Sequence, residues 1–139
     1  MKFYTGVLSI AVMLTACACG NDYYTIEDFA GVKKIDTHVH LNAESTALAE
    51  LAKEDNFRLI TVNVDVPRET LANQKKFALH QISQFPDQVD FLTAFTLVDW
   101  DSANWSKQII EQLASDFEEG ALGIKLWKNI GMVYKDSAD

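Results

Sequence analysis

His38 and His40 stand two residues apart, at the end of an apolar run that opens at Val32. In an extended strand, residues i and i+2 project from the same face. The two imidazoles are therefore expected side by side, close enough to share one ion. Neutral imidazole is a good ligand for zinc, iron or nickel. The pair reads as half of a metal site, built at the carboxyl end of a strand. A bare H-x-H also arises as two unrelated histidines on a strand edge. Here the whole chain holds 3 histidines, and two of them make this pair.

The elements that must hold such a pair follow from the pattern around it. Val32 to His40 is strand-like. Ser45 to Asn56 is helix-like, with Leu48, Leu51 and Ala52 on one face. Arg58 to Asp65 is a β-rich run closed by Val66-Pro67, and Pro67 suits the first turn of a helix. That helix is expected to reach about Phe85, with Leu71, Ala78, Ile82 and Phe85 as its apolar stripe. Asp90 to Val98 is a third strand. Ser102 or Asn104 caps a third helix whose buried side is Trp105, Ile109, Leu113 and Phe117. Gly120 ends it, and Ala121 to Trp127 is a fourth strand. A β-α-β-α-β-α-β array implies an α/β fold with parallel strands and right-handed crossovers.

The span from His38 to Lys125 divides into three strand–helix steps of about 29 residues, the spacing of a (β/α)8 barrel. An open doubly wound sheet has the same spacing. Two observations favour the barrel. No glycine-rich phosphate loop follows the first strand. Polar residues crowd the ends of all four strands: His38 and His40, Asn63 and Asp65, Asp99 and Asp101, Lys125 and Lys128. In a barrel these ends meet at one mouth, where the chemistry sits. Asp65 and Asp99 taken singly read as helix caps.

Ile35-Asp36-Thr37-His38-Val39-His40, opening such an array, resembles the amidohydrolase superfamily of metal-dependent hydrolases. Gly123-Ile124-Lys125-Leu126-Trp127-Lys128-Asn129 is similar to the fourth-strand segment of its amidohydrolase-related (type 2) branch. The resemblance spans about Val32 to Met132. It implies that His38 and His40 bind a divalent metal, zinc in the usual case. It also implies further ligands from strands 5, 6 and 8, and attack of a metal-activated water on an amide, ester or lactone of a small-molecule substrate. The branch contains metal-dependent decarboxylases as well. Asp36 fits the motif as a supporting hydrogen-bonding residue without direct ligation. The chain stops at Asp139, just after strand 4, and no other histidine stands in for the later ligands. It therefore reads as the amino-terminal half, about four βα units, of a TIM-like barrel, inactive or nearly so by itself. His80 falls on the second helix as a surface or packing residue.

Lys125 lies in register with Gly123 and Trp127. In some branches of the superfamily a lysine here is carbamylated and bridges two metals. In the type 2 branch the site is often mononuclear and the lysine is no ligand. An unmodified Lys125 holds an anionic substrate group near the mouth, or pairs with Asp65 or Asp99. Contact with substrate or an ion pair ranks above the carbamate.

The first residues carry an address. Lys2 precedes an apolar stretch from Val7 to Leu14, shorter than the ~20 residues a bilayer span requires. Leu14-Thr15-Ala16-Cys17 resembles the lipobox of bacterial lipoproteins, with Cys17 as the lipidated residue; an ordinary secretory signal is the alternative. Residues 1–16 are then a signal peptide, 17–31 a tether and lead-in segment, and 32–139 the barrel domain. The expected location is the bacterial cell envelope, lipid-anchored at the outer membrane and facing the periplasm or the cell surface. Contact with the membrane is through the anchor only. Acidic residues exceed basic ones by 20 to 12, for a net charge of −8, which argues against a nucleic-acid partner. A non-catalytic, lipid-anchored binding protein is the reading from a different class.

Overall fold

β-Rich runs alternating with helical periodicity give this chain parallel strands joined by helices. The computed structural model describes residues 23–134. It contains β1 (Lys34–Val39), α1 (Ala47–Glu54), β2 (Phe57–Val62), α2 (Leu71–Gln84), β3 (Val89–Thr93), α3 (Trp105–Glu118) and β4 (Gly123–Ile124), with a last helical turn over Asn129–Met132. The strands lie in the order β1-β2-β3-β4, all parallel. The sheet curls into a half-barrel, with a helix between successive strands.

The helices cover one face of the sheet. Leu41, Ala49, Ala52, Leu59 and Val89 form one buried cluster, joined by Val39, Phe57, Ile82 and Phe85. Phe91 packs with Ala78 and Ala121 in a second cluster. Burying a side chain such as Leu59 or Phe91 contributes about 1.5–3 kcal/mol. The opposite face, here the inner face, carries Ile35, Arg58, Ile60, Val62, Asp90, Leu92 and Gly123 by strand alternation and register.

Local chemistry sets the element ends. Thr70 Oγ1 accepts the backbone N–H of Asn73 at 3.2 Å and so caps α2. α3 closes with two bonds, Gly120 N to Phe117 O at 3.1 Å and Ala121 N to Asp116 O at 2.9 Å. This six-to-one and five-to-two pattern needs a left-handed residue, and Gly120 supplies it at φ 101°. Before β1, the Asp28 carboxylate accepts from Thr25 N at 2.9 Å and Thr25 Oγ1 at 3.1 Å, securing a 3-10 turn over Ile26–Asp28. Lys34 Nζ then donates to the carbonyls of Phe29 and Val32 and lies 4.2 Å from the Phe29 ring centroid. These bonds tie the lead-in segment to the amino-terminal end of the sheet.

The structure corrects several expected details. Pro67 does not open α2; it sits in a turn closed by a Val66–Glu69 bridge, and the helix begins at Leu71. β4 is only two residues long. Asn104 makes no side-chain capping bond. On α1 the buried residues are Ala49 and Ala52, while Leu48 and Leu51 remain 48% and 55% exposed. Both leucines look past β1, beside Asp36 and Val39, where no further element of the described residues covers them. On α3 the fully buried residue is Asp116, and Phe117 is 46% exposed. α2 buries Gln74 and Gln81 alongside Ala78.

Candidate metal centre

β1 carries the histidines to the end of the sheet where the strands finish. Its register with β2 is Lys34 to Phe57, Ile35 to Arg58 and Asp36 to Leu59, but then Val39 to Thr61. Three steps on β1 match two on β2, so the strand holds a bulge between Asp36 and Val39. Val39 and Leu41 return to the helix-covered cluster. His38 and His40 leave it together, with ring centroids 5.3 Å apart and planes at 71°. Both side chains are exposed. His40 Nδ1 lies 2.9 Å from the carbonyl oxygen of Val62. A carbonyl only accepts, so Nδ1 carries the proton, and the neutral ring keeps its lone pair on Nε2. A backbone carbonyl on one ring nitrogen, freeing the other for a ligand, is how metal-binding histidines are commonly oriented.

Continued register sets His40, Val62, Leu92 and Gly123 in one row across the inner face. Lys125 extends the ladder by donating its backbone N–H to Thr93 O at 2.6 Å, and alternation from Gly123 gives it the inner face. It is half-buried and forms no ion pair among the described residues. The expected pairing with Asp65 or Asp99 is thus absent there. Three strand spacings of ~4.8 Å separate β1 from β4, roughly 14 Å along the sheet. Lys125 and the histidine pair therefore share a face without touching.

The other polar strand ends do not all converge. Asn63 is buried and falls on the helix side with Leu59 and Thr61; its Oδ1 has no partner. Asp99 is exposed in a turn with φ 57° and caps no helix. Trp127 is half-buried, with Lys128 Nζ 5.5 Å from its ring centroid. His80 is exposed on α2. Cys17 lies outside the described residues.

Two buried glutamines, unforeseen as functional, hold the loops around the site. Gln81 Nε2 donates to Ala43 O at 3.0 Å and Ser45 O at 2.9 Å, fixing the loop that follows His40. Gln74 Nε2 donates to Val64 O and Glu69 O, and its Oε1 accepts from Val64 N at 2.9 Å, fixing the loop after β2. Their i, i+4, i+7 spacing with Ala78 marks one helix face, and that was the available signal. Thr61 Oγ1 adds a bond from Leu41 N at 3.0 Å.

A second polar cluster lies behind the sheet. Asp116 accepts from Thr93 Oγ1 at 2.5 Å, Lys75 Nζ at 2.9 Å and Gln112 Nε2 at 3.0 Å. Burial alone would push this carboxyl up; the three donors outweigh it and hold the pKa below the ordinary value. Glu119, then Asp116, raises the pKa of Lys75. Every oxygen of Asp116 is engaged, so the cluster is a strut joining α2, β3 and α3.

Among the described residues no group of three or more His, Cys, Asp or Glu side chains is arranged to hold a metal ion. The donor chemistry of the pair fits a divalent ion as far as two ligands go, whereas a catalytic zinc site uses three protein ligands. No helix of the described residues is long and apolar enough to cross a membrane. No family model, curated protein or solved structure matches the chain.

Proposed function

We propose that this half-barrel is the amino-terminal part of a TIM-like (β/α)8 barrel, and that it contributes the strand-1 ligands of an amidohydrolase-type, metal-dependent hydrolase. The observation that carries the reading is the His38–His40 pair: two adjacent rings on the inner face, one with its tautomer set by Val62 O. His38 and His40 hold a divalent ion, zinc by donor type, together with a further ligand from outside the described pair. Such an ion supplies an acidified water and a Lewis acid for the carbonyl of an amide, ester or lactone. Val62 O keeps the His40 ring turned for ligation. Lys125 receives an anionic group of the substrate and steadies it across the inner face. Thr61, Gln74 and Gln81 keep the rim loops in place. Cys17 is the lipidated amino terminus that anchors the protein in the cell envelope.

The test uses the full-length protein. Elemental analysis is combined with a panel of aryl esters, lactones, amides and aryl carboxylates. The expected result is bound zinc and hydrolysis that a chelator abolishes and zinc restores. Release of CO2 from the carboxylates, with the esters, lactones and amides untouched, would turn the reading to the decarboxylase class. No bound divalent metal, or turnover indifferent to chelation, overturns it.

A further inference from the structure

We infer that Asp36 is a positioning residue: its carboxylate stabilises the β1 bulge that turns His38 and His40 together to the inner face. This rests on the metal reading for its functional meaning, and on geometry for the rest. A strand alternates its faces strictly, so without a bulge His38 and His40 would both share the face of Asp36. Asp36 faces the helices, lining a cleft with Val39, Leu48, Leu51 and Leu59. Both rings would then point to the helix side, away from the sheet's inner face. The extra residue between Asp36 and Val39 reverses this, because the pair now falls in phase with Val62 on the inner face. A bulge also strands backbone groups that the ladder would have paired. Asp36 Oδ1 accepts the backbone N–H of His38 at 3.0 Å. That bond satisfies the donor at the point where the register slips. It spans two residues, so a longer side chain such as Glu would not reproduce it.

The experiment compares the full-length wild type, Asp36→Ala and Asp36→Asn, the last of which keeps an accepting oxygen. Cobalt(II) titration with its ligand-field spectrum reads the metal site, and NOEs from the His38 and His40 rings to the inner-face side chains of Ile60 and Val62 read the geometry without metal. In Asp36→Ala the NOEs vanish and cobalt binding weakens 10- to 100-fold, the usual effect of removing an outer-shell partner. In Asp36→Asn both stay near wild type. If the wild type binds no cobalt, the metal reading fails, while the NOEs still decide the role of Asp36. Wild-type NOEs and affinity in Asp36→Ala overturn the inference. Should Asp36→Ala not fold, hydrogen exchange at the His38 amide of the wild type decides. Slow exchange supports the bond, and exchange at the free-peptide rate overturns it.

Discussion

His40 Nδ1 sits 2.9 Å from Val62 O, a residue on the neighbouring strand and 22 positions away in sequence. The bond decides which nitrogen of His40 is free. It also ties the ring's orientation to the β1–β2 register. Replacing either His38 or His40 by Ala in the full-length protein should strip most of the metal and nearly all activity. Both rings are exposed, so the stability of the metal-free protein should stay within about 0.5 kcal/mol of metal-free wild type. Elemental analysis beside chemical denaturation checks this; full metal occupancy in both variants would make the pair structural.

Lys125→Ala separates the possible roles of that lysine. With substrate contact, metal content stays near that of wild type while KM rises, by about tenfold for one lost charged contact of ~1.4 kcal/mol. Loss of one of two bound ions, with partial rescue by short carboxylates, would instead identify a carbamate bridge. A fall in stability with unchanged kinetics would identify a packing lysine.

The strut behind the sheet predicts a pH dependence. The Asp116 carboxyl titrates below its ordinary value. Its ionised form is favoured by folding, so its contribution is complete above the unfolded pKa near ~3.9 and is lost as pH falls through the lower folded value. Asp116→Asn should cost about 1–3 kcal/mol at pH 7, because Lys75 and Thr93 then face an amide in place of a charged acceptor. Denaturation at pH 7 and near pH 2 reads the difference. A gap that does not shrink in acid would contradict the assignment.

Gln74→Ala should destabilise the protein by about 3 kcal/mol, combining a buried cavity with stranded backbone groups at Val64 and Glu69. Gln74→Leu fills much of the volume yet still strands those groups, so it should recover only part of the loss. Full recovery with leucine would show that volume, not hydrogen bonding, is what the position needs.

Mass spectrometry of the membrane fraction should find Cys17 as an acylated amino terminus, given Leu14 to Ala16 before it. An unmodified, periplasmic protein that begins elsewhere would refute the anchor.

By itself the sequence determined the order and kind of the elements. Apolar period and turn residues act locally, so each run declares its own type, and parallel pairing follows from helices of crossover length. The side-by-side histidines were legible for the same reason, since i and i+2 is a property of one strand. Only the tertiary structure decided which face that strand presents. The bulge at Asp36 is a relation between β1 and β2, and no stretch of one strand encodes it visibly. It likewise decided which helix residues are inside. Leu48, Leu51 and Phe117 stay exposed because no neighbour among the described residues covers them, whereas Gln74, Gln81 and Asp116 go inside. Gln74 and Asp116 are tolerated there because partners on other parts of the fold satisfy them, and Gln81 is held by its two amide bonds although its Oε1 has no partner.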